Sequence, residues 1–176
     1  MSQINLRTIS PENEREAIVP LSVILSQCVQ QGASIGFLLP FDVEQANLYW
    51  QQVYEKVHAQ TIVLMVAEQD GIIIGTVQLH FDLPDNQAHR ADVAKLLVHP
   101  QHQRKGIATA LMQRLEQEAL LKGRTLLVLD TKTGENAEHL YSALGYVSVG
   151  MIPGFAQNPE LDGFAATTIM YKNIRW

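Results

Sequence analysis

A single cysteine, Cys28, stands among 176 residues, so no intrachain disulfide can form and no thiolate cluster can hold a metal. Charged residues are scarce at 18%, and the 13 Lys and Arg are outnumbered by 18 Asp and Glu, for a net charge of -5. Nucleic acid and anionic membranes attract proteins through clustered positive charge, so neither is expected as a partner. An amine-bearing ligand meets no such obstacle. No apolar run reaches the roughly 20 residues of a membrane span. The opening Met1-Ser2-Gln3-Ile4-Asn5 also lacks the basic-then-apolar order of a signal peptide, so a cytoplasmic location is expected. No repeat, low-complexity tract or linker breaks the chain. What is present is 47% apolar residues, enough to bury a real core, and residues 1–176 are expected to form one domain.

The stretch from Ala91 to Gly123 carries the clearest pattern. Residues 91 to 98 interleave apolar positions with Asp92 and Lys95 and read as a strand, which Pro100 ends. A loop, Gln103-Arg104-Lys105-Gly106, follows. Ala108, Leu111, Met112, Leu115 and Ala119 then share one helix face, and Gly123 stands where a left-handed C-cap is wanted.

The flanking chain supplies further elements. Residues 4 to 9 alternate as a short strand, and Ser10-Pro11 predicts a helix start, with Pro20 expected to break or kink that helix. Leu21, Ile24, Leu25 and Cys28 form its face and Gly32 closes it. Asp42 with Gln45 predicts a capping box, followed by an apolar face of Val43, Ala46, Trp50, Val53, Tyr54 and Val57. Strands are predicted over 61–67 and 72–81, joined through Asp70-Gly71, with Gly75 marking a bulge. Residues 125–129 read as a strand buried on both faces, with Asp130 at its end. A helix through Ala137, Leu140, Tyr141 and Leu144 follows. The last strands are predicted at 146–149 and 167–171, separated by a long loop holding Pro153-Gly154-Phe155 and Pro159. The order of elements predicts one mixed sheet with helices on its faces.

Gln103-x-x-Gly106-x-Ala108 between a strand and a helix would aim backbone N–H groups into one cavity at the positive end of the helix dipole. Small residues at 106 and 108 admit an anion to the main chain, and Arg104 and Lys105 add charge. A pyrophosphate fits; so, from the residues alone, does a plain basic turn. In this order of elements the loop resembles the GNAT superfamily of acetyl-CoA-dependent N-acetyltransferases. The segment Leu140-Tyr141-x-x-Leu144-Gly145-Tyr146 is similar to another motif of that superfamily. Further pieces resemble the tabtoxin-resistance type: Gly32 to Phe37, Arg90 to Leu97, Leu129-Asp130-Thr131, Tyr141 to Leu144, Pro153-Gly154-Phe155 and Tyr171-Lys172.

The resemblance implies an α/β (α+β) single-domain fold: a mixed, mostly antiparallel sheet of about seven strands, helices on both faces, and a central splayed parallel pair. It implies acetyl-CoA as cosubstrate, with the pyrophosphate held by Gln103, Arg104, Lys105, Gly106, Ile107, Ala108 and Thr109. The pantetheine arm would lie along Leu96, Leu97 and Val98. Many members carry an asparagine seven residues before the tyrosine; here that position is Gly134, and Asn136 is out of register. Acetyl transfer must deprotonate an ammonium and protonate a thiolate. Asp92 and Asp130 are candidates for general base and for orienting the amine, and Tyr141 for general acid. Strand-end solvation, a cap, or a core aromatic would account for the same residues. Phe37 and Phe155 are candidate acceptor walls; Trp50 and Tyr54 suit a helix-face core better. His80 and His89 could touch an acceptor, although solvent exposure suits them better. His99 and His102 lack the carboxylates of a metal site, and none is expected. The leading expectation is direct transfer to the amine of a small molecule, with protein or peptide acetylation and a non-catalytic CoA-binding module as rivals. A homodimer exchanging the final strands is left open.

Overall fold

The computed structural model describes residues 3–175. Met1 and Ser2, which open the comparison with a signal peptide above, and Trp176 lie outside them. The strands are β1 (Ile4–Thr8), β2 (Ile62–Gln69), β3 (Ile72–His80), β4 (Arg90–Val98), β5 (Leu126–Lys132), β6 (Val147–Gln157) and β7 (Phe164–Asn173). The helices are α1 (Glu14–Gln30), α2 (Val43–His58), α3 (Ile107–Leu121) and α4 (Asn136–Ala143). All seven strands join one sheet in the order β1-β2-β3-β4-β5-β7-β6, antiparallel throughout except for the parallel pair β4–β5. The expected mixed sheet with helices on both faces and a central parallel pair is the fold observed.

Alternation along the strands divides the core in two, as a sheet covered on both sides requires. Ile62, Leu64 and Val66 of β2 pack with Leu21, Ile24, Leu25 and Trp50 under α1 and α2. Met65 and Ala67 of the same strand pack with Leu111, Met112 and Leu115 of α3 and with Tyr141 of α4 on the opposite face. Truncating a fully buried leucine such as Leu111 to alanine costs about 2–5 kcal/mol.

Local signals explain several elements. Asp42 accepts from Gln45 N at 2.9 Å while Gln45 Oε1 accepts from Asp42 N at 3.0 Å, which completes the predicted capping box of α2. Asp70 and Gly71 both have positive φ (52° and 78°), the geometry of a two-residue hairpin turn whose twist matches the strands. Beside Gly75 the β2–β3 register shifts, with Ala67 opposite Gly75 and Glu68 opposite Ile73. A Cβ on Gly75 would meet Ile107 Cγ2 and the Leu97 carbonyl at 3.1 Å, so the missing side chain lets the first turn of α3 close onto the sheet.

Other expectations are corrected. Ser10 and Asn13 form a reciprocally bonded turn, and α1 begins only after Asn13, so Ser10-Pro11 is not its start. Pro20 lies inside an unbroken α1. The roughly 3 kcal/mol of an interior proline is offset by burying Ala17, Leu21, Ile24, Leu25 and Val29 against the sheet. Val43 is exposed at the first position of α2. The buried face of α3 includes Ile107, and Ala108 is only half buried. In β5, buried Leu127 and Leu129 alternate with less buried neighbours, so the strand is not covered evenly on both faces, and it continues past Asp130 to Lys132. The expected loop around Pro153 belongs to β6. This is an edge strand, where a proline removes no inner hydrogen bond, and a register shift between Ile152 and Ala156 accommodates it.

Candidate active site

Two irregularities in β4 create the site. The parallel pairing with β5 covers only Arg90, Ala91 and Asp92, opposite Leu126, Leu127 and Val128. Beyond Asp92 the two strands diverge, so the β4 backbone from Val93 to Val98 keeps its β3 partner on one side and has no strand partner on the other. A bulge follows, because Thr76 faces Leu97 while Gln78 faces Ala94, leaving Lys95 and Leu96 opposite Val77. Lys95 takes φ of 54° there. The extra residue reverses the alternation: Ala91 and Val93 face α3, whereas Leu97 packs under α1 and α2.

The divergence ends in a loop with backbone donors turned outward. Arg104 and Gly106 both have positive φ (62° and 79°). Gly106 is the N-cap of α3, with no side-chain cap and no acidic residue in the first turn. The first intrahelical bond runs from Ala110 N to Gly106 O at 3.0 Å, leaving the N–H groups of Ile107, Ala108 and Thr109 outward at the positive end of the helix. Space around Gly106 is open, since a Cβ there would meet nothing within 4 Å. Gln103 Nε2 donates to Val98 O at 3.3 Å, and Lys105 Nζ to Gln101 O at 3.2 Å, fastening the loop to the strand end. These donors and cations fit a pyrophosphate, and the unpartnered β4 edge fits an amide-bearing arm beside it.

Across the divergence is a second, side-chain site. Leu127 and Leu129 face α3 and α4, so Asp130 lies on the α1–α2 face, the face that carries Asp92. Asp92 is held by Arg90 Nη1 at 2.5 Å, with its side chain 41% exposed. Burial raises its pKa, Arg90 opposes that, and Asp130 adds to it. Asp130 Oδ2 accepts from Thr167 Oγ1 at 3.3 Å. Tyr141 reaches the same place from α4. It is 7% exposed, no described residue hydrogen-bonds its hydroxyl, and burial followed by the Asp130 charge raises its pKa, so it carries its proton at neutral pH.

Of the polar residues that complete this face, sequence reasoning named His80 as able to touch an acceptor and did not single out Gln78, Tyr49 or Lys95. His80 is directly opposite Asp92 in the β3–β4 register. Its Nε2 is 2.8 Å from Gln78 Oε1, an acceptor only, so the proton sits on Nε2. Buried Gln78 in turn donates to the Tyr49 hydroxyl at 3.0 Å. Burial, then Lys56 and Lys95, push the His80 pKa down to about 4. Lys95 Nζ donates to Ile35 O at 2.7 Å and lies 5.6 Å from the Phe37 ring centre and 5.8 Å from that of Tyr49. The α2 periodicity hinted at Tyr49, which sits beside the buried stripe; nothing local marked the bulge.

Phe37 packs on Phe41 and edge-on to Tyr49, above this face. The loop carrying it is tied to the β6–β7 loop by Leu39 N donating to Pro159 O at 2.9 Å. Phe155 is half exposed on β6, two strands from Asp130, and makes no ring contact with Phe37. Trp50 and Tyr54 lie in the α1–α2 core, and His89 is exposed. Asn136 is exposed at the start of α4, while Gly134 N donates to Glu138 Oε2. Cys28 is buried, with its thiol pushed up to about 11 by burial, and Sγ contacts Val98 O at 3.6 Å. Among the described residues no group of three or more His, Cys, Asp or Glu is placed to hold a metal, and no helix is long and apolar enough to cross a membrane.

A diverging parallel pair, a strand bulge and an uncapped helix behind a basic glycine loop define a fold for acyl-CoA chemistry. The acetyltransferase (GNAT) family model matches residues 27–146, and the chain belongs to that family of N-acetyltransferases, with acetyl-CoA as cosubstrate. Solved structures share the fold. A candidate acetyltransferase, yncA, from Salmonella typhimurium, determined with acetyl-CoA, aligns over 97% of this chain and 94% of its own at 20% identity and a TM-score of 0.77. A ribosomal-protein-alanine N-acetyltransferase from Brucella melitensis aligns over 96% and 99% at 18% identity and 0.78. A candidate phosphinothricin N-acetyltransferase aligns over 99% and 100% at 17% and 0.78.

Proposed function

We propose that residues 1–176 act as one domain that transfers acetyl directly from acetyl-CoA to the amine of a small molecule. The observation that carries this reading is the hydrogen bond from Leu39 N to Pro159 O, which ties the loop whose Phe37 ring lies beside Lys95 to the β6–β7 loop and so narrows that end of the face. A narrowed site suits a compact acceptor; a peptide would call for an open groove. The likeness to a phosphinothricin acetyltransferase and the resemblance to the tabtoxin-resistance type agree with a small acceptor.

Acetyl-CoA, when bound, supplies an activated carbonyl and a thiolate leaving group. Gln103 to Thr109 would hold its pyrophosphate through main-chain N–H groups, and the free edge at Leu96 to Val98 would align the pantetheine arm. An amide of that edge is placed to polarise the thioester carbonyl. Asp92 is committed to Arg90, so it orients the acceptor amine, and Asp130 receives the proton, directly or through water. The amine would then attack the carbonyl: the C–N bond forms, the C–S bond breaks, the Tyr141 hydroxyl would give its proton to the leaving sulfur from the α4 side, and the proton shed by the new amide nitrogen would return to Tyr141 through solvent. No acyl-cysteine is needed, since the Cys28 thiol is buried and un-ionised at neutral pH. The test is CoA release from acetyl-CoA over a panel of small amines, run beside acetylation of a peptide fraction followed by mass spectrometry. Release with small amines is expected; acetylation confined to peptides would overturn the reading.

A further inference from the structure

The acceptor side holds two carboxylates, Asp92 and Asp130, and one ammonium, Lys95, and these groups are engaged differently. Asp92 has Arg90 at 2.5 Å and Asp130 has the Thr167 hydroxyl at 3.3 Å. Lys95 has three N–H donors but one hydrogen bond, to the neutral Ile35 carbonyl, and no carboxylate among the described residues lies within ion-pair distance. Beside it lie the rings of Phe37 and Tyr49 and the bare backbone of Gly36, where a Cβ would stand 3.6 Å from Nζ. Burial lowers its pKa and the field of Asp130 partly restores it. A half-buried cation with spare donors is incompletely compensated.

Its position is set by the fold. Without the extra residue of the bulge, the side chain at 95 would point to the α3 face with Val93; with it, Lys95 is turned onto the face of Asp92 and Asp130, under the Phe37 roof. His80 and Gln78, the nearest polar neighbours on β3, are neutral and satisfied by each other, so they leave the Lys95 charge uncancelled.

We propose that Lys95 is the acceptor-selecting residue: its free N–H donors receive an anionic group, so the substrate is an amine that also carries a carboxylate or similar oxyanion. The carboxylates take the ammonium end, Lys95 takes the anionic end, and Phe37 and Tyr49 wall the space between. Polyamines and aminoglycosides, which bring cations alone, would face Lys95 with like charge and are excluded.

This inference rests on the small-molecule reading, and matched acceptors separate the two. CoA release is measured with lysine against cadaverine, ornithine against putrescine, and tyrosine against tyramine, in wild type, Lys95→Met and Lys95→Arg. In wild type, kcat/KM is expected to favour the carboxylate-bearing member of a pair by on the order of 10- to 100-fold, the worth of a charged hydrogen bond. Lys95→Met collapses that ratio toward one, and Lys95→Arg retains most of it. A purely structural role for Lys95, pinning the Ile35 loop, would lower both members of a pair equally and leave the ratio unmoved. Preference for the decarboxylated amines, or a ratio that survives Lys95→Met, overturns the selecting role and leaves small-molecule transfer standing. Release with no member of any pair overturns both.

Discussion

The two sides of the β4–β5 divergence are built from different materials. The proposed cofactor side is made of main chain: one free strand edge, one glycine-bearing loop and one helix N-terminus, all within residues 93 to 110. The proposed acceptor side is made of side chains from five elements and two loops: Tyr49 from α2, Gln78 and His80 from β3, Asp92 and Lys95 from β4, Asp130 from β5, Thr167 from β7, with the joined loops that carry Phe37 and Pro159. Backbone donors read a group common to every reaction of a family, and need only the right φ and ψ. Side chains gathered from distant positions read what differs from one acceptor to the next, and can be exchanged without disturbing the first site.

Substitutions on each side test that division. The largest effect is expected at Gly106→Val. A β-branched residue at φ of 79° is strained, since even an ordinary side chain there costs about 1–2 kcal/mol, and the added carbons fill the cradle. Calorimetry should show acetyl-CoA affinity reduced by on the order of 100-fold or more, with the fold intact by circular dichroism. Unaltered affinity would remove the main-chain site. Next, Asp130→Asn should lower kcat by about 10²–10³-fold while leaving acetyl-CoA affinity within about threefold, the split expected if the sides are independent; Tyr141→Phe should do the same more mildly. A comparable loss of cofactor affinity in either variant would break the comparison. Phe37→Ala opens the roof, and KM for the acceptor should rise about tenfold with kcat little altered.

The smallest effect concerns pH. The folded state lowers the His80 pKa from 6.5 to about 4, so between those values the unfolded chain binds the extra proton and folding is opposed. The stability that neutral His80 contributes is complete above pH 6.5 and declines as pH falls toward 4. His80→Gln lacks this loss, so thermal melts at pH 4.5 and pH 7.5 should differ less for the variant than for wild type. An unchanged difference would mean that burial, Lys56 and Lys95 together do not hold the His80 pKa down.

Much of the fold was legible because its signals are local. The Asp42–Gln45 capping box, the Asp70-Gly71 turn, the strand ending before Pro100 and the left-handed glycine at 123 each depend on a few adjacent residues. The misreadings come from rules that tertiary packing overrides. Pro20 and Pro153 read as breakers, yet one sits in a helix held by its buried face and the other on an outermost strand. Asp92, Asp130 and Tyr141 were nameable one by one; that the first two share a face, with Tyr141 arriving from the other, was not.

Sequence alone determined the strand, loop and helix from Ala91 to Gly123, because these are made from consecutive residues whose conformational preferences are intrinsic, and the family resemblance of that stretch implied the kind of cosubstrate. Tertiary structure alone decided the acceptor side. No glycine or proline announces the bulge at Lys95, yet one extra residue in β4 reverses which side chains face which helices, and so turns the Lys95 charge onto the face of Asp92 and Asp130.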